Sequence, residues 1–122
     1  MKLLTRLFLT FLAAAAFGLV AARAELPVLG PAPAWKLQDL DGREVDSATL
    51  KGKVVVVDFW ATWCGPCITE IPGYIELQKK YGKDGLVIVG ASVDRAGVAK
   101  VKAFVQKQGI NYVIVMADDT VA

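Results

Sequence analysis

The apolar positions along this chain fall into three short runs separated by two stretches of helical period. Val54-Val55-Val56-Val57-Asp58-Phe59-Trp60 is almost wholly apolar and rich in β-branched residues, the pattern of a central strand buried on both faces. Residues 86–93 and 112–116 read as a second and a third strand. Between the first two runs, residues 64–81 predict a helix with Gly82 as its C-cap, and Pro72 inside it predicts a kink because proline cannot supply the backbone N–H. Residues 96–108 predict an amphipathic helix. Val98, Val101, Phe104 and Val105 share one face, Lys100, Lys102, Gln106 and Lys107 lie elsewhere, and Gly109 closes it. Strand–helix–strand–helix–strand is the order of an α/β fold with right-handed crossovers and a parallel or mixed sheet.

Ahead of this unit, residues 25–33 are rich in Pro and Gly and read as an extended linker. Asp41-Gly42 is a hairpin-turn signal, and the stretches 35–40 and 43–46 flank it as strands. Ser47 is the expected cap of a short turn through Leu50, with Gly52 ending it.

The first 24 residues read as an export signal. Lys2 and Arg6 form a positive start, residues 7–20 an apolar centre, and Ala22-Arg23-Ala24 a small-residue cleavage site. The alternative is an uncleaved N-terminal membrane anchor, since the apolar run falls only slightly short of a spanning helix. The chain therefore divides into a signal (1–24), a linker (25–33) and a single domain (34–122). Charge adds little beyond this. Of the 14 basic residues Lys2, Arg6 and Arg23 fall in the signal, which leaves 11 against 12 acidic ones, a net charge of −1. Nothing in that balance points to nucleic-acid binding.

Candidate chemistry sits at Trp63-Cys64-Gly65-Pro66-Cys67, which holds the chain's 2 cysteines. Thiol–disulfide exchange needs an accessible thiolate and a second thiol close enough to resolve the mixed disulfide. Cys64, just beyond the carboxyl end of a strand and at the start of a helix, is where the helix dipole lowers a thiol's pKa. Cys67, one turn on, is the resolving thiol. A purely structural disulfide would close so small a loop that it contributes only about 2 kcal/mol. Half of a zinc site lacks its partner, for there is no second CxxC and there are 0 histidines. A c-type haem attachment is excluded by Ile68 after the second cysteine. An exported chain with such a pair works where disulfides form and persist, in the cell envelope and most simply a bacterial periplasm.

The stretch from Val57 to Cys67 resembles the active-site segment of thioredoxin-fold proteins. Leu40-Asp41-Gly42, Leu50-Lys51-Gly52-Lys53, Trp60-Ala61-Thr62-Trp63-Cys64 and Glu70-Ile71-Pro72 narrow the likeness to the exported TlpA/ResA-like thiol–disulfide oxidoreductases. Residues 90–94 and the helix with Phe104-Val105 also fit that group. The resemblance implies a thioredoxin-like fold with an N-terminal β-hairpin extension, and an enzyme that reduces disulfides of envelope proteins such as apocytochromes c. It implies disulfide-bearing protein substrates, electrons from a membrane thiol relay, and no cofactor or metal. By position, Cys64 is the attacking nucleophile, Cys67 the resolving thiol and Glu70 the group's active-site glutamate. Asp58 matches the buried acid of thioredoxins proper. Trp63, Gly65 and Pro66 are assigned to substrate contact, and Pro66 also to setting the redox potential. Physically, an apolar flank desolvates Asp58 and raises its pKa, so that it can take the Cys67 proton during resolution.

The pattern departs from the group after the third run. No proline follows Pro72, so the cis-proline loop, last hairpin and last helix of the fold are expected to be missing and the chain to be C-terminally incomplete. One edge of the sheet is then expected to stand open, with self-association as a consequence. Other readings are a periplasmic copper-handling thiol protein, an inactive truncated remnant, and a peroxiredoxin-type thiol peroxidase. The last needs a Pro ahead of its cysteine; Thr62 is in place here and the Pro is not.

Overall fold

The computed structural model describes residues 26–119 and Val121. The predicted export signal lies outside the described residues. The chain divides into two units, Met1–Pro31 and Ala32–Ala122. In the first, residues 26–31 are exposed and form no helix or strand. No described helix is long and apolar enough to cross a membrane.

The second unit opens with an antiparallel hairpin of β1 (Lys36–Gln38) and β2 (Glu44–Asp46), in which Leu37 faces Val45. Asp39 organises the turn. Its Oδ1 accepts from the N–H groups of Asp41 and Arg43 at 2.8 and 2.9 Å, and Gly42 takes the positive φ of +80° that the reversal requires. Lys102 Nζ reaches Asp41 Oδ1 at 2.6 Å and so ties the hairpin tip to a later helix. A 3-10 turn over Ser47–Leu50 follows. Its cap is Asp46 rather than the expected Ser47: Asp46 Oδ1 accepts from the Ala48 N–H, while Ser47 Oγ accepts from the Trp35 N–H at 2.9 Å.

A parallel sheet carries the rest, with β3 (Val54–Trp60), β4 (Leu86–Ser92) and β5 (Val113–Met116) in the order β3-β4-β5. The central strand is β4. The expectation that Val54–Trp60 is central is corrected: β3 forms an edge among the described residues, and Val54, Val57 and Phe59 are 68, 40 and 49 % exposed. Nor is the strand buried on both faces: its β-branched and aromatic composition reports a preference for a strand, not how much of each face is covered or how many strands lie beside it.

The connections are α1 (Gly65–Tyr81) and α2 (Val98–Gln108). Because the chain steps across the sheet in one direction, right-handed crossovers put both helices on one face. The core there joins Ile71 of α1 and Val101 of α2 to Trp60, Ile88 and Ile114 of the sheet. On the opposite face Leu37 of the hairpin meets Val89, Ala91 and Val115. Gln78 of α1 fixes the helix against β4 ahead of the first β4–β5 pair: its Oε1 accepts from the Ile88 N–H at 2.8 Å and its Nε2 donates to the Leu86 carbonyl. Gly82 is the C-cap of α1 as expected, its N–H donating to the Gln78 carbonyl; it keeps right-handed helical φ and ψ, and a further 3-10 turn runs over Gly82–Asp84. The left-handed stop is Gly85 at φ +98°. Gly109 ends α2 as expected, at φ +66°.

Candidate active site

Alternation along β3 decides which of its side chains faces the helices. Val56 and Trp60 belong to the helix-side core, so Asp58 between them points the same way. It is the one carboxyl on a strand face otherwise made of Val and Trp. Its Oδ2 is buried without a hydrogen-bond partner among the described residues. Burial raises the Asp58 pKa, and the nearby Glu70 carboxylate raises it further. Tyr74 and Tyr112 complete this surround, their rings edge to face at 6.2 Å. Burial, with the Asp58 charge second, pushes the Tyr112 phenol up to about 12. Tyr74 is raised by the same two influences in the same order.

β3 ends at Trp60, and the chain reaches α1 through one tight turn. The Cys64 N–H closes it on the Ala61 carbonyl at 3.0 Å. Cys64 is then the N-cap residue of α1, with extended φ and ψ, and Pro66 stands in the first turn, where its missing N–H costs nothing. Cys64 and Cys67 form a disulfide with Cα atoms 5.3 Å apart. The two cysteines differ in surroundings. Cys67 packs against the core beneath α1, whereas Cys64 sits at the helix end, where unpaired N–H groups and the dipole favour a thiolate.

Trp63 is 69 % exposed, and Gly65 and Pro66 are exposed beside it. These three surround the disulfide with an open, partly apolar rim. Glu70 is also exposed, on the second turn of α1. The structure thus brings Cys64, Cys67, Trp63, Gly65 and Pro66 to one end of α1, with Asp58 beneath that helix and Glu70 close enough to act on its charge.

Sequence reasoning missed one cluster. Asp94, just past the end of β4, is 7 % exposed and Ser92 is 0 % exposed. The Thr62 N–H donates to Asp94 Oδ2 at 2.6 Å and the Thr62 hydroxyl to Asp94 Oδ1 at 2.8 Å. The Ser92 hydroxyl donates to Oδ2 at 3.3 Å. The available signal was an acid just outside the carboxyl end of the strand next to the one that leads into the CxxC.

Comparison with known proteins fits this geometry. The chain is 36% identical over 95 residues to the thiol-disulfide oxidoreductase ResA of Bacillus anthracis, covering 78% of this chain and 54% of that protein. It is 35% identical over 88 residues to ResA of Bacillus subtilis (strain 168), covering 72% and 49%. Among solved structures, a thiol:disulfide interchange protein of the thioredoxin family from Chlorobium tepidum superposes with a TM-score of 0.69 at 38% identity, over 79% of this chain and 66% of that one. The fold is thus a mixed α/β fold of thioredoxin type. The chain spans about half the length of the curated relatives it matches. The model of the AhpC/TSA family matches residues 28–122, which include the hairpin, the sheet and the cysteine pair, and the chain belongs to that family.

Proposed function

We propose that this chain is the redox-active part of an exported thiol–disulfide oxidoreductase that reduces disulfides of envelope proteins in the periplasm, apocytochromes c among them. The observation that carries this reading is the Cys64–Cys67 disulfide at the start of α1, above a strand face whose one carboxyl, Asp58, has an unpartnered buried oxygen. A merely structural disulfide gives no account of that carboxyl.

In the dithiol form the Cys64 thiolate attacks one sulfur of a substrate disulfide. A mixed disulfide forms, and the other substrate sulfur leaves as a thiolate that takes a proton from water. Asp58 accepts the Cys67 proton, directly or through a water, and Cys67 attacks the Cys64 sulfur. The second substrate sulfur leaves, the substrate gains two electrons, and Cys64–Cys67 is oxidised. Glu70 tunes Asp58 through its charge. Trp63, Gly65 and Pro66 form the surface that meets the substrate, whose exposure suits contact with a protein. A membrane thiol relay returns the chain to its dithiol form. The edge of β3 supports association between copies: among the described residues β3 pairs with β4 alone, and Val57 and Phe59 are exposed beside that edge.

A redox titration of the chain, followed by tryptophan fluorescence, tests the assignment, because Trp60 and Trp63 lie just ahead of the pair. One reversible two-electron transition at a reducing potential is expected. A strongly oxidising midpoint would reverse the direction of electron flow, and the absence of any transition would refute the reading.

A further inference from the structure

The turn that presents Cys64 is held by a carboxylate from another strand. The end of β4 is itself fixed on both sides: the Val93 N–H donates to the Trp60 carbonyl at 2.9 Å, and the Ala117 N–H donates to the Ser92 carbonyl at 2.8 Å. From this anchored position Asp94 takes both donors of Thr62, backbone and hydroxyl. Thr62 lies inside the turn closed by Ala61 and Cys64. Such a buried carboxylate would be costly without partners; here three donors face its two oxygens, and hydrogen bonds to an ionised acceptor are about twice as strong as neutral ones. Asp94 and Thr62 themselves lie outside the strand ladders and outside both core clusters.

We propose that Asp94 is a positioning residue of the redox site: its carboxylate pins the turn over 61–64 to the end of β4 and thereby fixes how the Cys64 sulfur is presented at the start of α1. This rests on the function proposed above. Asp94 touches neither sulfur in this account. It acts through Thr62, and Ser92 holds it in place.

The chemistry of the clamp separates geometry from charge. An asparagine at 94 keeps an oxygen for the Thr62 N–H, and its amide can donate to the Thr62 hydroxyl, which then accepts. Asp94→Asn therefore preserves the clamp without the charge, Asp94→Ala removes it, and Thr62→Val removes only the hydroxyl bond. Each is made in the Cys67→Ser background, where Cys64 is the lone thiol. Two quantities are read: the pH dependence of Cys64 alkylation by iodoacetamide, and the rate of its exchange with a small aromatic disulfide.

In Asp94→Ala the apparent Cys64 pKa rises by about one unit, and exchange near neutral pH slows by about tenfold. Asp94→Asn stays within about twofold of the parent and Thr62→Val falls between. A folded Asp94→Ala with the parent's profile and rate overturns the proposal, as does Asp94→Asn behaving like Asp94→Ala. If Asp94→Ala does not fold, Thr62→Val decides, and the parent's profile and rate in it overturn the proposal. A parent whose Cys64 has an ordinary thiol profile overturns both this proposal and the function beneath it; an activated parent with indifferent variants overturns this one alone.

Discussion

The indole of Trp60 lies over Gly90, one strand across: a Cβ at Gly90 would stand 2.9 Å from Trp60 Nε1 and 2.7 Å from Ile114 Cδ1. The close approach lets Trp60, 2 % exposed, fill the space beneath both helices and meet Phe104 with ring centroids 5.5 Å apart. Trp60 is also the last residue of β3 before the redox turn, so its seating sets where that turn begins.

Gly90→Ala is expected to destabilise the chain by about 1–3 kcal/mol, the usual cost of forcing extra atoms into a packed core. Ile114 can rotate its terminal methyl, but the rigid indole must shift. Urea denaturation followed at Trp60 measures the change. An unaltered midpoint would mean that the indole is free to move, and that β3 does not fix the turn in the way argued here.

Asp58 gives stability a pH dependence with a definite sign. Its pKa is raised in the folded chain above the ordinary 3.8. Its favourable contribution is therefore full below that value and is lost as pH rises through the raised one. Asp58→Asn removes the loss. The variant is expected to melt about 3 °C above the parent at neutral pH and to converge with it in acid. Calorimetry across that range checks it, and a parent that is the more stable form at neutral pH contradicts it.

Glu70 raises the Asp58 pKa by its charge, second to burial. Neutralising it in Glu70→Gln should lower that pKa, so the resolving step, in which Cys67 displaces the substrate, reaches half its maximal rate at lower pH. Because Glu70 is exposed, solvent screens the effect and the shift is small. Stopped-flow decay of a preformed mixed disulfide reads the profile, and an unshifted profile removes Glu70 from the tuning of Asp58.

Much of the fold is legible in the chain because period and burial coincide. The three apolar runs are the three parallel strands, and Val101 on the predicted inner face of α2 is 0 % exposed. Asp41-Gly42 turns the hairpin because Gly42 supplies the positive φ. The misreadings have local causes. Asp46 and Ser47 both suit a cap, and which of them faces Ala48 depends on a backbone angle that composition does not encode. Gly82 does cap α1, as the end of the helical period predicts, but the 3-10 turn that follows it and the reversal at Gly85 leave no periodic signal in the chain. Sheet order is invisible in a run such as Val54–Trp60. The cysteine pair and Asp58 stand out because they are polar or reactive groups in apolar surroundings. The Asp94 clamp does not, because it joins residues 32 apart in sequence and neither is unusual alone.

The central claim is that Cys64 attacks and Cys67 resolves. Trapping of mixed disulfides tests it most directly. Reduced Cys67→Ser and Cys64→Ser variants are each mixed with a disulfide-bearing protein, quenched in acid and separated without reductant. The account predicts a stable covalent adduct through Cys64 in Cys67→Ser and little or none in Cys64→Ser, because Cys67 packs against the core. Adducts forming mainly through Cys67 would invert the two roles, and the absence of an adduct from both variants would contradict the account as a whole.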